Sequence, residues 1–227
     1  MSRVLSPMVC GCALTLGLAH PARVGAQGLA VTPTLIEIPA GRSSAAIEVR
    51  NREANAVAVQ LSAFSWSQPG GLDVLMDDPQ LLVSPAIATI APGGVQTFRI
   101  IVPRGARPIE RSWRIILDQL PRPQPVSPPL SVRLRLSIPI FAAPDGKAAP
   151  DIRWHTADGV MIARNTGNRR IRFGALAIDG VPLAAGSSPY LLPGAERHWM
   201  VGPRRPVRLA AQTDSGAIHA MLAPSAP

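Results

Sequence analysis

Cysteine is almost missing from this 227-residue chain: there are two, Cys10 and Cys12, both near the start. They sit in a segment with a basic beginning at Arg3, an apolar stretch from Val9 to Ala19 and the small residues Val24-Gly25-Ala26. That is the make-up of a secretory signal peptide over residues 1–26, with the mature chain starting near Gln27. The mature protein is then expected to hold no thiol, disulfide or cysteine metal site, although export leads to a place that permits disulfides. Acylation at Cys12 would leave a very short apolar region before it, which argues against a lipid anchor. Long apolar runs are also lacking: Pro7 and Arg23 bound the first, and no later run reaches the ~20 residues a membrane span needs, so no membrane insertion is expected.

Lysine occurs once, at Lys147, and aromatic residues are sparse, with four tryptophans, four phenylalanines and one tyrosine. The net charge of +9 falls to +7 when Arg3 and Arg23 are removed, and it rests almost wholly on arginines scattered among candidate strands. Nucleic-acid binding asks for clustered basic residues with interleaved aromatics, so acidic peptide partners are the better expectation. Enzyme signatures are missing too. His155, His198 and His219 are isolated, and there is no HExxH, GxSxG, P-loop or dinucleotide fingerprint, so no catalysis, cofactor or metal is expected.

What is present is β-sandwich patterning. With 47% hydrophobic residues the chain can build cores, and its 19 glycines and 25 prolines, about a fifth of the whole, stay below the ~25–30% that signals disorder. Helical periodicity is nearly absent. Short Val/Ile/Leu runs at Ala30–Ile38, Ser44–Asn51, Ala56–Trp66, Leu81–Ile90, Gly94–Val102, Trp113–Leu120 and Leu130–Phe141 alternate with Pro/Gly turns. Seven strands in about 115 residues is the count of an immunoglobulin-like domain. The connector Ala142 to Pro150 marks a boundary between residues 27–144 and a smaller all-β unit over 151–225. In that unit the strands are expected at Ile152–His155, Gly159–Asn165, Arg170–Ile178, Val181–Leu183, Glu196–Val201, Val207–Thr213 and His219–Leu222, with hairpin turns at Asn165–Asn168 and Asp179-Gly180.

One strand is unusual. In "PPLSVRLRLSIPIF" every second residue from Leu130 to Ile140 is apolar, which gives an extended strand one apolar and one polar, partly cationic face. Six alternating positions exceed a typical strand of about 5 to 6 residues, and a five-proline arm, Pro121 to Pro129, precedes it. Alternation alone also describes an ordinary strand packed into its own core. A long edge strand left unpaired would be an aggregation hazard.

The segments Leu29 to Asn51, "LLVSPAIATIAPGGVQTFRI", "IERSWRIILDQLP", "LRLSIPIF", "ARNTGNRRIRF" and "YLLPG" follow the order and spacing of another group of proteins. Over nearly the whole mature chain the sequence resembles periplasmic chaperones of the chaperone-usher pathway, and its "SIPIF" ending looks like their archaic branch. The resemblance implies two immunoglobulin-like sandwiches in an L shape, pilus subunits and an outer-membrane usher as partners, and action by lending a strand to a subunit that lacks one. Leu130, Val132, Leu134 and Leu136 would fill the subunit's groove, with Ile138 and Ile140 nearer the chaperone's own core. Four such side chains give about 6 to 12 kcal/mol gross before the costs of association. The basic pair that grips the subunit's terminal carboxylate in the family is replaced here by Leu35 and Pro139. Arg99 and Arg114 are the candidate carboxylate anchor. Glu110 and Asp214 match acidic positions of an interdomain network, while Ala143 stands where its arginine is expected. A secreted adhesin or carbohydrate-binding module could use the same sandwiches.

Overall fold

The computed structural model describes residues 28–121, 132–183, 189–202 and 206–223. The expected signal segment and Leu130 lie outside them.

Ten strands come before the connector. They are β1 (Leu29–Thr32), β2 (Ile36–Ile38), β3 (Ser44–Asn51), β4 (Val57–Ser67), β5 (Val74–Asp77), β6 (Leu82–Ser84), β7 (Ile87–Ile90), β8 (Val95–Ile101), β9 (Arg111–Gln119) and β10 (Arg135–Ala142). One sheet runs β1-β3-β8-β6; the other runs β2-β10-β9-β4-β5, with β7 also on β4. Period-2 apolar patterning sends Ile47, Val49, Phe98 and Ile100 of the first sheet against Val59, Leu61, Ile115, Leu117 and Ile140 of the second, and all are buried between them.

Two expected strands are each split. Ala30–Ile38 becomes β1, paired with β3, and β2, paired in parallel with β10, with Pro33 between them. Leu81–Ile90 becomes β6 on β8 and β7 on β4, with Pro85 at the break. A proline has no N–H for a ladder, so the chain leaves one sheet there and joins the other. The short edge strand β5, next to β4, has no counterpart in the sequence reading.

The second unit has β11 (Ile152–Ala157), β12 (Val160–Asn165), β13 (Ile171–Ile178), β14 (Val181–Pro182), β15 (Tyr190–Leu191), β16 (Glu196–Met200), β17 (Val207–Thr213) and β18 (Gly216–Leu222). The sheet β11-β12-β16 faces β14-β13-β17-β18, with β15 on β13, across a core that includes Met161, Phe173, Leu191 and Leu209. Asp179-Gly180 is a two-residue hairpin loop with φ of 51° and 81°, the mirror-image turn that suits twisted strands. Asn165–Asn168 is not a hairpin, because β12 and β13 belong to different sheets. It is a crossover held by buried Asn165, whose Nδ2 donates to Arg169 O (2.8 Å) and whose Oδ1 accepts from Gly167 N (3.0 Å). Gly167 is required there, since a Cβ would lie 2.4 Å from Ala149 O on the connector.

Candidate functional site

The alternating strand lies at the side of the first sandwich and divides in two. Its lower half is core: Ile138 and Ile140 are buried between the sheets, and Leu136 packs partly against them. Its upper half leaves the core, and Val132–Leu134 precede the start of β10 at Arg135 instead of belonging to one strand from Leu130. Leu134 is half-buried and Val132 is 82% exposed, so the same apolar side continues out of the sandwich into solvent.

Backbone directions show what the upper half can do. Gln119 N donates to Leu134 O (2.9 Å), so the even-numbered residues turn their polar groups to β9. Ala143 N donates to Ile38 O (2.9 Å), so the odd-numbered ones face the opposite edge. β2 covers that edge only along Ile140–Ala142. Among the described residues the edge of Arg135 and Ser137 therefore has no ladder partner, and Pro139, having no N–H, ends its open donors at Ser137.

Arg114 lies on β9, one strand inside that edge and level with its end. It is the register partner of Pro139 on β9, its Nη1 donates to Ser137 Oγ (3.3 Å), and its guanidinium stacks 3.9 Å over the Trp66 ring. Burial pulls the Arg114 guanidinium below its ordinary pKa, while Asp73 and Tyr190 push the other way. Arg197 of β16 is lowered by burial in the same way and is likewise supported by Asp73. Two partly buried cations thus share the field of one carboxylate. That carboxylate is itself bonded to Trp66 Nε1 (3.1 Å) and Gln68 Nε2 (2.8 Å).

Arg99 does not join Arg114. Phe98 and Ile100 face the core, so Arg99 points to solvent from β8 in the opposite sheet. A sandwich about 10 Å thick lies between the two arginines, and one carboxylate cannot bridge it.

The domain junction is built around Arg170. Its Nη1 lies 2.5 Å from Glu110 Oε2, its backbone N donates to Glu110 Oε1 (3.0 Å) and its Nη2 bonds Glu37. Its guanidinium stands 3.7 Å over Phe141, which packs with Trp66 (5.7 Å) and Tyr190 (5.1 Å). Gln68 adds a second latch from the first sandwich, donating to Tyr190 O (3.0 Å) and accepting from Leu192 N (2.9 Å). Asp214 is placed elsewhere: its carboxylate accepts from Arg172 N (2.9 Å) within the second unit, because the turn between β17 and β18 folds back on β13. The arginine that meets Glu110 comes from β13's approach, not from the end of β10 where Ala143 stands. Arg170, Glu37, Gln68 and Arg197 were not singled out from sequence, since a surface arginine and a buried one look alike in "GNRRIRF".

Burial raises the Glu110 carboxyl above its ordinary pKa, against the lowering influence of Arg170 and Arg169. The folded protein therefore holds this proton more tightly than the unfolded chain, and the group's contribution to stability rises as pH falls through the raised value. In Glu110→Gln that gain on the acid side should vanish. Urea unfolding of both proteins between neutral pH and the ordinary glutamate range checks it: the wild-type advantage should widen toward acid, and a difference independent of pH would contradict the assignment.

The comparisons come down on one kind of protein. The family "Pili and flagellar-assembly chaperone, PapD N-terminal domain" matches residues 28–148. Among solved structures, the chain is similar to a chaperone–tip adhesion subunit pre-assembly complex of the archaic chaperone-usher Csu pili of Acinetobacter baumannii, with 20% identity, a TM-score of 0.69 and coverage of 88% of this chain and 100% of that one. It is similar also to the Escherichia coli chaperone DraB, with 18% identity, a TM-score of 0.64 and coverage of 86% and 99%. A Salmonella enterica SafA pilin in complex with the SafB chaperone matches at 17% identity and a TM-score of 0.65, over 86% and 97%. At such identities these likenesses show the fold. No curated protein matches the sequence.

Proposed function

The chain belongs to the pili and flagellar-assembly chaperone family, and from that premise we propose that it binds pilus subunits in the periplasm by strand addition and hands them to an outer-membrane usher. One observation carries the reading: the apolar side of β10 and of the residues leading into it runs out of the core at Leu136, Leu134 and Val132, where the outer edge of Arg135 and Ser137 has no partner among the described residues. An added strand would take its ladder from Arg135 and Ser137 and bury the side chains that solvent now covers. Leu130 is proposed as the next position along the same side. Because Leu136 is already partly packed at home, the gain comes mainly from Val132 and Leu134, with Leu130 beyond them.

The ladder's end suggests the anchor. A partner strand whose last residue reaches Ser137 would bring its terminal carboxylate beside Arg114, whose guanidinium is held over the Trp66 ring. Arg114→Ala should weaken capture of a subunit by about 10- to 100-fold, the worth of one charged hydrogen-bonding contact. Arg99→Ala should leave it unchanged. Subunit recovery from both variants checks this, and equal recovery would remove Arg114 from the anchor.

Co-expression with a pilus subunit that lacks its final strand tests the function as a whole. A soluble one-to-one complex is expected. A subunit that stays aggregated would point to a secreted adhesin or carbohydrate-binding module built on the same sandwiches.

A further inference from the structure

The polar side of the donor segment is cationic, and its charge is poorly matched at home. Arg133 and Arg135 alternate with Val132, Leu134 and Leu136; Arg135 stands on the outer face of the sheet, opposite the side that carries Leu136, and Arg133, also exposed, precedes it by two residues. Arg135 is 70% exposed, and its Nε lies 3.4 Å from Oδ1 of Asp118, its neighbour on β9. Arg133 has no acidic partner among the described residues. Both arginines line a hollow of about 550 Å³ with Gln60, Asp118, Gln119 and Leu134, in which Asp118 is the single carboxylate.

These residues flank an edge whose backbone groups await a strand. When one is added, its side chains on the outer face come directly across from Arg133 and Arg135, on the side away from Asp118. Opposite charges at such positions favour pairing and like charges oppose it. A second copy of the same edge would set arginine near arginine.

We propose that Arg133 and Arg135 select an acidic acceptor: the partner strand that pairs with this edge carries aspartate or glutamate on its outward-facing positions next to the apolar residues that line its groove. The inference rests on the strand-addition reading and adds to it the charge of the partner. Backbone pairing is indifferent to sequence, and greasy side chains distinguish partners only by size. The arginine pair supplies discrimination that neither of those provides.

Two synthetic peptides test this, one alternating valine with glutamate and one alternating valine with lysine, titrated into the purified chaperone by fluorescence anisotropy. The glutamate peptide should bind about tenfold more tightly at low salt, and the preference should shrink at about 0.5 M NaCl, where the screening length is only a few Å. In Arg133→Ser/Arg135→Ser the preference should collapse while a valine–serine peptide binds as it does to the wild type. Equal affinity for the two charged peptides, or a preference that survives in the double variant, overturns the proposal. Leu134→Glu separates it from the reading beneath: glutamate-peptide binding that persists in this variant shows that the strand is not being added here, and both claims then fall. A chaperone that pairs with itself through this edge, undisturbed by the glutamate peptide, would also overturn it.

Discussion

Leu134→Glu should abolish capture of a pilus subunit, with co-purified subunit falling at least about a hundredfold, while the chaperone itself unfolds within about 1 kcal/mol of the wild type. The two effects separate because Leu134 stands at the mouth of the sandwich. It is half-buried, outside the packed cluster that contains Ile138 and Ile140, so a carboxylate there can still reach water in the free protein. In a subunit's groove the same carboxylate would be sealed in an apolar site, which costs several kcal/mol for an unpaired charge. Ile140→Ala is the contrasting variant. Ile140 is fully buried, and its truncation should cost about 2 to 5 kcal/mol of stability by opening a cavity, so any loss of capture would follow loss of fold. Urea unfolding beside a subunit pull-down reads both, and a Leu134→Glu protein that unfolds as readily as Ile140→Ala would place the residue in the core.

Arg170→Ala should be the most damaging single change at the junction, costing about 3 to 5 kcal/mol. The side chains of Arg170 and Glu110 are 4% and 2% exposed, so removing the guanidinium leaves a carboxylate buried without its counter-charge. The variant also strips the cation from the Phe141 ring. Glu37→Ala should cost little by comparison, because that carboxylate is 56% exposed and its attraction to Arg170 is screened. Chemical unfolding of the two variants checks the ranking. An Arg170→Ala protein within about 1 kcal/mol of the wild type would mean that water or a rearranged side chain serves Glu110 equally well.

The strands were legible where one sheet uses them from end to end. β3 and β17 have the bounds that Val/Ile alternation gives, Ser44–Asn51 and Val207–Thr213, because each has one neighbour, β8 and β18 respectively, paired along it without a break. Ala30–Ile38 and Leu81–Ile90 keep their apolar period across a proline, so the pattern carries no mark of the change of sheet. The alternating strand was legible for the same reason that it is unusual: its period outlasts the core. The point at which it leaves the core is set by how far the facing sheet extends, and no residue within "LRLSIPIF" records that.

Charged residues were harder to place. Alternation in "TFRI" turns Arg99 outward, but an outward arginine can belong to either of two opposed faces, and only pairing shows that β8 and β9 lie in different sheets. Glu110 and Arg170 are 60 positions apart, and their meeting depends on how one sandwich is seated on the other. Asp214 resembles a junction residue in sequence, yet the turn that holds it closes back on its own sheet.

A crystal structure of the chaperone bound to a pilus subunit tests the central claim most directly. The account predicts Val132 and Leu134 inside the subunit's groove, a subunit strand bonded to the backbone of Arg135 and Ser137, and a ladder that stops before Pro139. A subunit seated on another surface, with the outer edge of β10 still open to solvent, would contradict it.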